Sequence, residues 1–268
     1  MSYNKFEFTK ENIDLFLKDL AKEYRKHGGK NYPAELILIG GASVLINYGF
    51  RNMTTDIDAF INASTYIKDA INKVGDRFHL PYGWLNSDFQ HTDSYTPKII
   101  EYSKYYKTYS NVLTIRTISA EYLIAMKLKA GRQYKSDLSD VLGILAEHEK
   151  NGKPISLQAI KKAVINLYGD WQELSESSRN FINNIFLQGN FNQLYSQIKQ
   201  GENETKEMLI KFQKDHPKAI KESNVNPIAR ELQSKSNRAS VLAKLQTMNK
   251  TQIDKDNNQR SINNKGSR

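Results

Sequence analysis

Apolar positions recur at helical spacing near the start of the chain. Ile13, Leu15, Phe16, Leu20 and Tyr24 are separated by charges over residues 9–27. Thr9 is the expected N-cap, with Asn12 three positions on, and Gly28-Gly29 the expected stop. The run LILIG (36–40) lies between Pro33 and two glycines and reads as a buried strand. Gly40-Gly41 is the turn after it, 42–48 a short helix, and DIDAFI (56–61) the next strand, with alternating faces. An amphipathic helix over 65–78 precedes a loop over 79–97, punctuated by Pro81, Gly83 and Pro97. Strands are expected at 98–102 and 112–118. Helices are expected at 119–131 with Ser119 as N-cap, and at 136–149, 157–168, 177–186 and 191–199.

Beyond Gly201 the pattern changes to Lys, Asn, Gln, Ser and Glu. A helix over 228–248 fits Leu232, Val241, Leu242 and Leu245, and the final DKDNNQRSINNKGSR has the composition of disorder. The expected organisation is a sheet-containing domain over 1–150, a helical region over 151–200 and a basic, partly disordered tail over 201–268. The net charge of +10 sits mostly in that tail, because 211–268 holds 13 Lys and Arg against 5 Asp and Glu. Such a tail attracts phosphate, although charge alone names no partner. No apolar run reaches the length of a membrane span, so no membrane association is expected, and a cytoplasmic location fits. With no cysteine, disulfides, thiolate metal sites and cysteine nucleophiles are excluded. The five histidines are scattered and read as surface residues.

The chemistry concentrates in LILIGGASVLINYGFRNMTTDIDAF. On a strand, Asp56 and Asp58 would share one face and repel unless a cation lies between them. Mg²⁺ suits such a pair because it takes carboxylate and phosphate oxygens together. A Gly-Gly turn lets backbone approach a phosphate, the following helix start favours anions, and Ser43 adds a hydroxyl there. Asp-x-Asp alone and Gly-Gly alone are weak signals. The two in this order and spacing, with a strand before each, are much more specific, and strand, turn, helix and acidic pair together make a site for a metal-bound nucleoside triphosphate.

These residues resemble the opening motif of the nucleotidyltransferase superfamily. They are most similar to bacterial uncharacterised nucleotidyltransferase-like proteins of the DUF6036 type, related to the nucleotidyltransferases of toxin-antitoxin and abortive-infection systems. LPYGWLN (80–86) and AEYLIAMKLKAGRQYKSDLSDVLGIL (120–145) agree with it, so the resemblance spans about 36–145. It implies an α+β fold, a mixed β-sheet flanked by helices, and nucleotidyl transfer from an NTP. Carried over, Gly40, Gly41 and Ser43 would contact phosphates and Asp56 and Asp58 would hold Mg²⁺. Lys127 would neutralise the triphosphate with Arg132 close by, and Asp137 would stand near the metal or position the acceptor. An RNA acceptor such as tRNA, or a protein acceptor, and an antitoxin partner follow from the same kinship. The chain departs from the family in lacking an acid on NVLTIRTIS, where a third carboxylate is usual. Glu101, Asp88, Asp93 and Asp137 are the substitutes at hand, and a nucleotide- or RNA-binding module with a degenerate site is the alternative reading.

Other residues admit two roles each. Lys127 could lie along the core with its stem buried, and Asp140 could serve only as a first-turn acid. Trp84 could stack on a base or pack in the core. Tyr102, Tyr105, Tyr106 and Tyr109, interleaved with Lys98, Lys104 and Lys107, suit RNA contact or a half-exposed hairpin.

Overall fold

The computed structural model describes residues 6–132, 136–221 and 224–235. The chain divides into two compact units, one made of the described residues up to Lys199 and the other of those from Gln200 on.

The first unit is built on a five-stranded mixed sheet in the order β3-β2-β1-β5-β4. The strands are β1 (Ala34–Leu38), β2 (Ile57–Asn62), β3 (Leu85–Asn86), β4 (Ser103–Tyr109) and β5 (Leu113–Ile118). β1 pairs antiparallel with β2 and parallel with β5, while β4 and β5 form a hairpin. Helices cover both faces, as the α+β reading anticipates. On one face, α1 (Lys10–Tyr24) and α3 (Tyr66–Phe78) bury Ile13, Phe16, Leu17 and Leu20 with Leu36, Leu38, Ile57, Ala59 and Ile115. On the other face, α4 (Ala120–Ala130), α5 (Asp137–Lys150), α6 (Leu157–Tyr168) and α7 (Glu176–Gln188) form a core with Ile37, Ile39 and Ile118. The strands alternate in parity between these two cores, as period-two geometry requires.

Local signals explain most boundaries. Thr9 and Asn12 form a reciprocal capping box that opens α1. A wide turn over Arg25–Gly29 ends it, with Gly28 at φ 102 supplying the left-handed conformation. α2 (Gly40–Asn47) begins at the Gly-Gly pair, two residues before the expected start. Gly131 closes α4 in the left-handed region, and Ser156 caps α6 through Ala159 N–H.

Four expectations need correction. The segment 98–102 is not a strand: Pro97 opens a 3-10 turn over Pro97–Tyr102, and the strand begins at Ser103. Proline fixes φ at the value of a helical first turn, and of this segment Ile99 is buried in the core with Tyr102 packed against it. The expected loop 79–97 holds the short strand β3, parallel to β2. Ser119 sits at the N-cap position of α4, but its hydroxyl donates to the carbonyl of Tyr102 instead of capping. The helix expected over 191–199 is α8 (Phe191–Asp215), far longer: it runs on through the polar stretch at 200–207 to Met208, Leu209, Ile210 and Phe212.

The second unit contains residues 200–215 of α8 and the helical residues 225–235. Leu209 packs there with Val225 and Ala229, and Gln233 Nε2 donates to Thr205 Oγ1 at 2.5 Å. The rest of the helix expected over 228–248, and the DKDNNQRSINNKGSR segment expected to be disordered, lie outside the described residues. No helix among the described residues is long and apolar enough to cross a membrane.

Candidate active site

β1, the turn after it and β2 bring the first group of candidate residues together. Ile39 N–H donates to the carbonyl of Asp58 at 2.9 Å, so the strand end before Gly40 is stitched to the strand carrying the acid. Gly40 has φ 56, a conformation open to glycine, and a β-carbon placed on it would lie 3.5 Å from Asp58 Oδ2. Asp58 is therefore half-buried against the turn. β2 starts at Ile57, so Asp56 stands one residue ahead of the strand, and it is exposed. Ile57 between them is fully buried in the core under α1 and α3.

Gly41 is crowded for a different reason. A β-carbon there would lie 2.5 Å from Thr54 Oγ1 and 2.9 Å from Arg51 Nη2. The two adjacent glycines thus have a carboxylate against the first and a guanidinium against the second. Ser43, one turn into α2, is fully buried and its hydroxyl is unpartnered among the described residues. Its backbone N–H makes the first intrahelical bond, to Ile39. The earlier N–H groups of α2 have no partner within the helix, the usual condition of a first turn.

The second group is a buried ion cluster. Lys127 on α4 is enclosed, with Nζ at 2.8 Å from Asp137 Oδ1 and at 2.8 Å from Asp140 Oδ2, both on α5. Arg132 Nε reaches Asp137 Oδ2 at 2.8 Å, and Arg51 Nη1 reaches Asp140 Oδ2 at 2.5 Å. The order Arg51–Asp140–Lys127–Asp137–Arg132 alternates in sign and carries one net positive charge. Burial alone would drive the Asp137 carboxyl up. Lys127 and Arg132 outweigh it and hold that carboxyl well below the usual carboxylate range. Burial likewise opposes the Lys127 ammonium, and Asp137 and Asp140 overcome it, raising its pKa.

The clusters meet at Arg51, which sequence reading passed over. Its Nε donates to the carbonyl of Met53 at 3.0 Å, its Nη1 to Asp140, and its Nη2 lies against Gly41. Phe50 beside it packs on α5, where a β-carbon at Gly143 would come within 2.5 Å of the Phe50 ring. The loop from α2 to β2 is therefore fastened to α5 at Asp140 and Gly143, three residues apart and on one helix face. The available signal was the Arg-x-x-x-x-Asp-x-Asp spacing, but an arginine in a loop has no legible partner 89 residues away.

Of the substitutes for a third acid, Glu101, Asp88 and Asp93 are exposed. Across the sheet from Asp58 the row runs through Ile39 to Ile118, one residue beyond the Leu38–Thr117 pair. An apolar residue thus fills that row on β5. Among the described residues no three acids or histidines gather as a metal site. Asp58 lies at the turn and Asp56 stands two residues before it; two hard carboxylates are the donor type that could hold one Mg²⁺ completed by phosphate and water oxygens. Trp84 is buried and donates from Nε1 to the carbonyl of Ile71 at 3.1 Å, a core role. The tyrosine-rich segment forms β4, an edge strand with Lys104, Tyr105 and Lys107 exposed.

No curated protein and no solved structure matches the chain. One family does match, over residues 16–168, a span that holds the whole sheet, the Gly-Gly turn, both aspartates of Asp56-Ile57-Asp58 and the buried ion cluster. That family is described as a nucleotidyltransferase of unknown function, and with more than half of its length inside the match this chain belongs to it (DUF6036).

Proposed function

We propose that the protein transfers a nucleotidyl group from an NTP to a hydroxyl of an RNA or protein acceptor, with Mg²⁺. The observation that carries the reading is the Gly40-Gly41 turn with Asp58 Oδ2 set against it. Asp56 and Asp58 would hold the metal, and Gly40, Gly41 and Ser43 the phosphates. When bound, Mg²⁺ would neutralise the phosphates and polarise the phosphorus–oxygen bond under attack. The acceptor oxygen bonds to the α-phosphorus, the bridging α–β bond breaks, pyrophosphate leaves, and the hydroxyl proton passes to water. The protein's share of this chemistry is positioning and charge, which dominate such transfers.

Lys127 is assigned a supporting role, since it is buried and ion-paired with two carboxylates. It fixes Asp137 and Asp140, and through them Arg132 and Arg51. A toxin or phage-defence role, with an antitoxin as partner, is supported by the kinship of the opening motif.

A second reading has its own observation. Ile118 occupies the β5 position in the row of Asp58, which favours a nucleotide- or RNA-binding module that does not turn over.

The test uses purified protein, Mg²⁺, each α-labelled NTP, and total RNA and total protein as acceptors, beside Asp56→Ala/Asp58→Ala. Label transferred by the wild type and not by the variant supports the enzyme. Mg²⁺-dependent NTP binding with no transfer to either acceptor rejects it in favour of the binding module.

A further inference from the structure

Lys127 is the basic residue that a reading of the sequence selects for the triphosphate, but its ammonium is inside the fold. Its side chain is 8% exposed, and its ammonium donates to Asp137 and is ion-paired with Asp140. Arg132, the second candidate, spends Nε and Nη2 on Asp137. Arg51 differs from both in its place at the turn. Its side chain is 19% exposed, against 27% for Arg132, and its Nε and Nη1 are fixed by Met53 and Asp140. Among the described residues its Nη2 donates no hydrogen bond. That nitrogen lies at Gly41, next to the glycine that the Asp58 carboxylate approaches.

We propose that Arg51 is the residue that binds the terminal phosphates of the nucleotide, held in place by Asp140, which is in turn held by Lys127. This deepens the nucleotidyltransferase reading and rests on it for the identity of the ligand. A guanidinium fixed at two of its nitrogens keeps its planar fork oriented before the ligand arrives. Its open edge then meets phosphate oxygens beside the α2 N–H groups, which charge-assisted bonding and the helix dipole both favour. Asp140 is a positioning residue here. It neutralises part of the arginine charge and fixes its direction, while Lys127 keeps Asp140 from turning fully onto Arg51. The alternation of charge explains why three cations can be packed with two acids and still present one of them to a ligand.

The placement also separates the ends of a nucleotide. Terminal phosphates at Gly41 and Arg51 leave the α-phosphate toward Gly40 and the Asp58 carboxylate, where metal and acceptor are needed. Discrimination between a tri- and a monophosphate would therefore reside in Arg51, whereas the acids would govern transfer.

The experiment compares wild type, Arg51→Gln, Arg51→Lys and Asp58→Asn by calorimetric binding of Mg²⁺ with inorganic tripolyphosphate, NTP and NMP, and by label transfer. For Arg51→Gln, tripolyphosphate and NTP affinity should fall at least about tenfold, with NMP affinity changed less than about threefold, as loss of a charged hydrogen bond to the distal phosphates requires. Arg51→Lys, which keeps the charge and loses the fork, should recover part of the loss, and melting curves identify any variant that does not fold. Arg51→Gln binding tripolyphosphate as tightly as wild type overturns the proposal, as does equal weakening of NTP and NMP. Label transfer by wild type with an unchanged NTP KM in Arg51→Gln rejects Arg51 and leaves the enzyme reading standing. Arg51-dependent tripolyphosphate binding without transfer to any acceptor supports Arg51 and rejects the enzyme.

Discussion

Lys127 Nζ and Asp137 Oδ1 are 2.8 Å apart, and their side chains are 8% and 1% exposed. Removing one partner of such a pair strands the other charge away from water. Lys127→Met is therefore expected to lower unfolding free energy by about 3–5 kcal/mol. Urea denaturation measures it. Lys127→Met/Asp137→Leu should recover much of the loss, because Arg132 is 27% exposed and can turn to solvent. If the double variant is no more stable than the single one, the cost lies in packing and not in the stranded charge.

Acid should act where α1 and α3 meet. Glu23, 7% exposed at its side chain, accepts from Arg77 Nη2 at 3.0 Å and lies 3.1 Å from His27 Nε2. The Arg77 bond, acting against burial and aided by His27 and Lys26, brings its carboxyl from 4.5 to about 2. A folded-state value below the unfolded one gives stability that is complete above about pH 4.5 and is lost as pH falls toward 2. Glu23→Gln should thus be less stable than wild type at neutral pH, and the two should converge at the acid end. Parallel curves over that range, in a urea series at stepped pH, would contradict the assignment.

The two glycines of the turn should fail differently. Gly40→Ala puts a side chain at φ 56, which costs about 1–2 kcal/mol through the backbone. Gly41→Ala has no positive φ to maintain but meets Thr54 and Arg51, an overpacking cost of about 1–3 kcal/mol. Binding of Mg²⁺ and NTP should weaken in both. Only Gly41→Ala should also weaken inorganic tripolyphosphate in the absence of metal, since it displaces the guanidinium. Calorimetric titration with and without Mg²⁺ separates the two.

Trp84→Ala is expected to destabilise the fold by about 3–5 kcal/mol, as large aromatic truncations in cores do. Trp84→Phe keeps most of the packing but removes the indole bond to the Ile71 carbonyl. Neither change should alter NTP affinity in the folded fraction. A loss of affinity in Trp84→Phe, measured under conditions where melting shows it folded, would restore a base-stacking role.

Where the pattern was legible, one strong period stood alone. Leu157–Tyr168 is the same helix in sequence and structure because Ile160, Ala163, Val164 and Leu167 form one buried stripe between a serine cap and a glycine. Leu36–Leu38 reads as strand because the sheet is covered on both faces at that point. Ser103–Tyr109 was obscured because an edge strand buries only its two ends, leaving no alternation to detect, while KIIEY before it imitates a strand. Asp58 and the glycines were visible because turn, strand and acid lie within 19 residues and act through local geometry. Arg51 and the partners of Lys127 were not, since ion pairs between a loop and two helices leave no periodic trace. Lys127 itself was noticed, but whether a lysine on an apolar helix faces ligand or counter-ion depends on what α5 brings to it.

The attachment of the 48–55 loop to α5 changes what counts as the smallest functional piece. The sheet up to β5, residues 6–118, carries both glycines and both aspartates. A fragment ending there would nonetheless leave Arg51 without Asp140, Phe50 without the gap at Gly143, and the loop between turn and acid without its anchor. Grafting the turn and the acid pair onto another sheet would therefore transfer the ligands without their alignment. α5, at residues 137–150, belongs to the site as its mounting, and changes on its inner face should be felt first in how the loop aims, before any loss of the sheet.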